Sequence, residues 1–185
     1  VRDETVITFR KTDKVKLHDD KVEVKVDDFL KKEFENVSLE KLCLDGVVTD
    51  VLNIRFNEIK KCFTSKAYLS VIFMAGSTLE GMLLGIALNN PKAFNQANSA
   101  PKNKEGKIKQ FPEWSLSQLI DTASELGLLK EDIKKFSHAL RDFRNYIHPY
   151  QQVSSGFNPD EHTAKICFQV LKAAIFQLST RNKNG

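Results

Sequence analysis

Between residues 67 and 88 the chain reads "AYLSVIFMAGSTLEGMLLGIAL", a run of membrane-span length broken by one carboxylate, Glu80, and three glycines. No other segment constrains the fold as strongly. A helix made from it is apolar nearly all round and must be enclosed. A bilayer is one enclosure, but a carboxylate near its centre costs roughly 2.5–3.5 kcal/mol on insertion scales, and no second span follows. The run is therefore expected to be the buried helix of a bundle, about residues 65 to 89, ended by Pro91. Ser77, Gly81 and Gly85 recur at steps of four, which predicts a groove where another helix approaches closely.

The chain is long enough to supply that bundle. A single domain of 185 residues buries roughly 70% of its unfolded surface. Hydrophobic residues at 41% and charged residues at 28% are those of a folded soluble domain. A net charge of +4 permits an anionic partner without demanding one. Cys43, Cys62 and Cys167 form no CxxC pair, so neither a disulfide framework nor a zinc knuckle is suggested, and reduced thiols in the cytoplasm are expected. The chain opens on Val1 with Asp3 and Glu4 and no apolar signal core, and is read as processed or as a piece of something longer.

The remaining segments divide by period. "TVITF" and "KVEVKV" alternate within residues 1 to 26, predicting a short N-terminal β-hairpin or extended edge strands. A mixed connector reaches residue 46. After it Val48, Leu52, Phe56, Ile59 and Phe63 recur at three or four residues, so a helix should span 47 to 63. Ser115 and Gln118 make an S-x-x-Q capping box opening a helix over 116 to about 126, closed by Gly127. Further helices are expected from Glu131 to His148 and after the Asn158-Pro159-Asp160-Glu161 stretch, with Asn158 as cap. The fold class is thus mainly α: a bundle of about five helices over 47–185, with residues 1–46 as an appendage.

Residues 91–113 combine Pro, Asn and Gly with lysines, among them Lys102, Lys104, Lys107 and Lys109. This segment reads either as a basic flap for a nucleic-acid backbone or as a solvated insertion.

"LRDFRNYIHPY", residues 140 to 150, holds the candidate chemistry. At about 100° per residue, Ala139, Leu140, Phe143 and Ile147 fall within about 60° of Phe136 and form the buried stripe. Arg141, Arg144, Asn145 and His148 fall between about 80° and 180° on the adjoining polar face. His148 would stand about 6 Å beyond Arg144 and about 10.5 Å beyond Arg141 along the axis. A phosphate can touch a histidine and an arginine so placed. The plainer reading is an ordinary solvated helix face. Glu80 is expected to need a partner, either Arg141 or Arg144. His138, on the same helix, is read as a surface histidine. No His, Asp or Glu cluster has metal-ligand spacing, and no cofactor is implied.

The order of a long helix, the glycine-containing helix with "STLEGMLL", the "SLSQLIDTASELGLL" helix and then "LRDFRNYIHP" resembles the HEPN superfamily of small helical bundles. The resemblance covers about residues 47 to 179. Its signature is an arginine, usually followed by a polar residue, with four to six residues before a histidine. Arg141-Asp142 and His148 fit at the long limit, while Arg144-Asn145 lies too close to His148 and enters by helical geometry. The resemblance implies a metal-independent endoribonuclease of toxin–antitoxin or anti-phage systems, acting as a homodimer whose two motif helices meet. RNA is the implied substrate, and an antitoxin or other protein is a further expected partner. The competing expectation is a catalytically silent module that binds RNA, a nucleotide or a protein. A purely structural oligomerisation bundle is the third.

Overall fold

The computed structural model describes Phe34, residues 37–146 and residues 148–181, of residue 181 the backbone alone. The expected β-hairpin over residues 1–26, much of the connector and Ile147 lie outside the described residues. Within them are seven α-helices: α1 (Gly46–Thr64), α2 (Tyr68–Asn89), α3 (Pro91–Gln96), α4 (Leu116–Glu125), α5 (Glu131–Asn145), α6 (Pro149–Ser155) and α7 (Glu161–Arg181). Five are long, and α3 and α6 have six and seven residues. The fold is a mainly α helical bundle.

α2 is its axis. Helix α2 packs most extensively on α1 and α7 and also touches α5 and α4. Val71, Ile72, Leu79, Met82, Leu83 and Ile86 are buried by these neighbours. By length and composition α2 is long and apolar enough to cross a membrane. Here neighbouring helices bury ten of its 22 residues, and Leu88 near its end stays exposed. The small-residue groove is realised in part: a Cβ on Gly81 would meet Leu52 of α1 at 3.5 Å, and one on Gly85 would meet Leu44 at 3.1 Å. Leu39 and Leu42 are also buried in the core, so the bundle takes in the end of the connector.

Helix ends follow local chemistry. The Asp45 carboxylate caps α1 by accepting from the N–H of Val47 and Val48 at 2.9 and 3.3 Å. The expected box on α4 is formed: the Ser115 N–H donates to Gln118 at 2.9 Å and the Gln118 N–H to Ser115 at 3.3 Å. Gly127, at φ +70°, follows α4 in the left-handed region that glycine adopts without strain. The cap of α7 falls two residues later than expected. The Thr163 N–H donates to the Asp160 carboxylate at 2.7 Å, so Asp160 supplies the cap and Pro159 precedes it.

Residues 91–113 are more structured than a solvated loop. Helix α3 starts at Pro91, a single antiparallel bridge joins Lys102 to Ile108, and a 3-10 turn spans Phe111–Glu113. Phe94, Phe111 and Trp114 form one aromatic cluster with centroids 5.1–6.4 Å apart. Glu125 at the end of α4 grips the segment from the other side, accepting from the N–H of Asn98 at 2.7 Å and of Ser99 at 2.8 Å.

That grip has a pH signature. Hydrogen bonds from Ser99 and then Asn98 hold the Glu125 carboxyl at about 2, against an ordinary value of 4.5. A carboxyl depressed on folding contributes stability that is complete above pH 4.5 and is lost as pH falls through the folded value. Glu125→Gln is expected to lower Tm near neutral pH and to flatten its fall in the acid window. Thermal unfolding followed by circular dichroism tests this, and parallel acid profiles for the two proteins would contradict it.

Candidate functional site

The apolar stripe of α5 determines where its polar residues go. Ile133, Phe136, Ala139, Leu140 and Phe143 are buried, seated against α2, α4 and α7. Lys134, His138, Arg141 and Asn145 then recur at four, three and four residues along the outer side, which stacks them in one row.

His148 does not belong to that row. Helix α5 ends at Asn145, and the capping N–H of Tyr146 bonds to the carbonyls of Arg144 and Phe143. His148 is extended, at φ −83° and ψ 117°, and serves as the N-cap position of α6. The expected continuation of the helix to His148 is corrected, and Pro149 is the reason. A proline collides with the carbonyl four residues back, here Asn145, and has no N–H to bond to it. It also disfavours helical geometry at the residue before it. The same ring then suits the first position of a new helix, so the residue that ends α5 begins α6.

The excursion carrying His148 is pinned at both ends. Phe157, just past α6, stacks on Tyr146 at 4.4 Å and on Phe143 at 5.4 Å. Between these clasps no residue of α6 is buried, and Tyr150 is 93% exposed. The His148 side chain is exposed and makes no capping bond. Its carbonyl accepts from the N–H of Gln151 and Gln152 at 2.9 and 3.0 Å.

Both arginines are held by carboxylates of the same chain. Glu80 pairs with Arg144, the second of its two expected partners, at 2.9 Å between Oε2 and a terminal guanidinium nitrogen. The two side chains are 30% and 34% exposed, so Glu80 sits at the edge of the core, not inside it. Gly76 makes this possible. A Cβ there would stand 3.1 Å from Cβ, Cγ and Cδ of Arg144, and without one the arginine stem lies flat on α2. Arg141 bonds to the carboxylate of its neighbour Asp142 through Nε at 2.9 Å and also through a terminal nitrogen. Asn145 is exposed. A guanidinium carries five N–H donors in a planar fork, so each arginine keeps donors for a ligand beyond its internal pair.

The expected lysines do not act as one cluster. Lys102, Lys104 and Lys107 are exposed and Lys109 is half-buried. Lys102 lies across the bridge from Ile108; by strand alternation Lys107 and Lys109 belong to the opposite face. Lys107 already meets Glu105 at 3.2 Å, and the Lys109 carbonyl accepts from the Trp114 indole N–H at 3.0 Å.

One cluster was not read from the sequence. Asp121 of α4 receives Lys134 Nζ at 3.1 Å and His138 Nε2 at 3.0 Å, both on Oδ1. Burial opposes ionisation of Asp121, yet the bonds from Lys134 and His138 hold its carboxyl below the ordinary value. His138 is therefore an oriented, half-buried histidine. The spacing of Lys134, His138 and Arg141 was visible as a helical row, but Asp121 comes from another helix and no local signal pointed to it. Among the described residues, no three His, Cys, Asp or Glu side chains converge as metal ligands would.

No protein-family model, no curated protein and no solved structure matches this chain.

Two of the three glycines of α2, Gly76 and Gly81, predict opposite outcomes. Gly76→Val should displace the Arg144 stem and cost about 1–3 kcal/mol, as overpacking does. Gly81→Ala meets only ordinary contact with Leu52 at 3.5 Å and should gain about 0.5–1 kcal/mol from helix propensity. Urea denaturation measures both, and the reverse ranking would contradict the placement of Arg144.

Proposed function

We propose that this chain is a HEPN-like, metal-independent endoribonuclease of a toxin–antitoxin or anti-phage system, acting in the cytoplasm as a homodimer. One observation carries the reading: the end of α5 presents two arginines each paired with a carboxylate, followed at once by an exposed histidine whose side chain makes no capping bond. This combination suits cleavage of an RNA phosphodiester. His148 takes the proton from the 2′-hydroxyl or delivers one to the leaving 5′-oxygen. Arg141 and Arg144 donate to the phosphorane-like transition state with planar forks, and Asn145 adds an amide on the same row. One chain brings one His148, whereas acid and base together are served by two. A second copy across a two-fold axis supplies the other. The Lys102 to Lys109 hairpin is assigned to the RNA backbone.

A specific observation favours a second reading. Arg141 and Arg144 are both neutralised within the chain, which weakens the local field for a polyanion and suits a silent module that binds RNA, a nucleotide or a partner protein.

Cleavage of a single-stranded RNA by the purified protein is expected to persist in EDTA. His148→Ala should lower its rate by about 10²–10⁴-fold, the range of a lost acid–base group, and Arg141→Ala should reduce it as well. RNA binding that weakens with salt, without cleavage, selects the silent module. No cleavage and no binding removes both readings.

A further inference from the structure

Helices α1 and α7 cross through two phenylalanines. The rings of Phe56 and Phe168 stand 5.4 Å apart at 52°. Each carries a lysine from the next turn of its own helix: Lys60 Nζ lies 4.7 Å from the Phe56 centroid and Lys172 Nζ lies 5.3 Å from the Phe168 centroid. Lys165 precedes Phe168 by one turn on α7. Two ammonium groups thus lie over one aromatic pair, and Lys165 is near enough to Lys172 to act on its charge.

What sets this cluster apart is that two of its ammonium groups lie over one aromatic pair and, among the described residues, meet no carboxylate. Lys134, Lys135, Arg141 and Arg144 each meet a carboxylate. Among the described residues, none of Lys60, Lys165 and Lys172 does. Lys172 is half-buried, and burial, then Lys165, then Lys60 push its pKa down, with no acid opposing them. Like charges held together in a partly desolvated place destabilise a fold. The ring faces offset part of this through cation–π attraction, and the ammonium donors that point away from the rings are open to a ligand. Each ammonium carries three donors, so the cluster presents several N–H groups and up to three positive charges to one small volume. A multiply charged oxyanion satisfies both at once.

We propose that Lys60, Lys165 and Lys172 form a binding site for a phosphate-bearing anion at the crossing of α1 and α7. The site uses none of the residues assigned to RNA cleavage and stands or falls apart from that reading. Its ligand chemistry is that of clustered phosphate oxygens, found in a free diphosphate and along an RNA backbone.

The test uses inorganic pyrophosphate and a short single-stranded RNA as probes, with isothermal titration calorimetry and thermal unfolding at low salt. Wild type is expected to bind pyrophosphate and to unfold at a higher temperature in its presence. Lys172→Met should raise Tm without any ligand, because it removes the crowded charge, and should abolish the pyrophosphate-induced shift. Lys165→Gln, on an exposed side chain, should weaken binding by about tenfold or more, as loss of a charged hydrogen-bond donor does. Lys135→Met, which removes a lysine elsewhere, should leave binding unchanged. If Lys172→Met weakens RNA and pyrophosphate together, the site takes backbone phosphates; if it weakens pyrophosphate alone, the ligand is a small free phosphate. Absence of pyrophosphate and RNA binding by wild type overturns the proposal. So does equal binding by Lys165→Gln and wild type, or a Tm lowered by Lys172→Met.

Discussion

Enclosing α2 is the constraint on which the rest of the bundle depends. Nearly every turn of this helix carries large apolar side chains, and α1, α4, α5 and α7 pack on it to bury most of them. The glycines on α2 let this happen at short range. Leu52 and Leu44 come against Gly81 and Gly85, and the Arg144 stem lies over Gly76. A charged residue is thereby brought to the edge of the core, where Glu80 receives it. The candidate site is in this sense a by-product of packing: the small residue that admits the arginine belongs to the helix that most needs cover.

A second constraint acts through Pro149. It stops α5 at Asn145, turns the chain at His148 and starts α6. The result separates two kinds of functional candidate that a continuous helix would have placed on one surface. Arg141 and Arg144 stand on a rigid, buried-backed helix and are oriented by carboxylates. His148 stands on an excursion held by stacking of Phe157 on Tyr146 and Phe143. Rigid groups suit transition-state stabilisation, since their donors need no reorganisation. A histidine on a projecting segment suits completion of a site by a second molecule, whether RNA or another copy of the chain.

The electrostatics of the surface are uneven in a way that net charge hides. Cations on α5 are matched by Glu131, Asp121, Asp142 and Glu80, whereas the lysines at the crossing of α1 and α7 have no such match among the described residues. A chain of net charge +4 thus leaves the half-buried Lys172 at this crossing without a carboxylate among the described residues. Position, not the sum, decides where an anion is drawn.

Much was legible in the residues alone wherever the cause is local. The apolar run announces a central helix, Ser115 and Gln118 cap α4 by reaching three residues, Gly127 follows it with positive φ, and the stripe of Phe136, Ala139, Leu140 and Phe143 faces inward because a helix repeats every 3.6 residues. The turn at His148 is written in Pro149, whose ring overrides the helical period at the residues before it. Two things only the tertiary structure decided: which carboxylate neutralises which cation, and which lysines are left without one. The pairings of Glu80 with Arg144 and of Asp121 with His138 join different helices. Side-chain meetings across helices depend on crossing geometry and on where a glycine leaves room, and no period along a single helix encodes either.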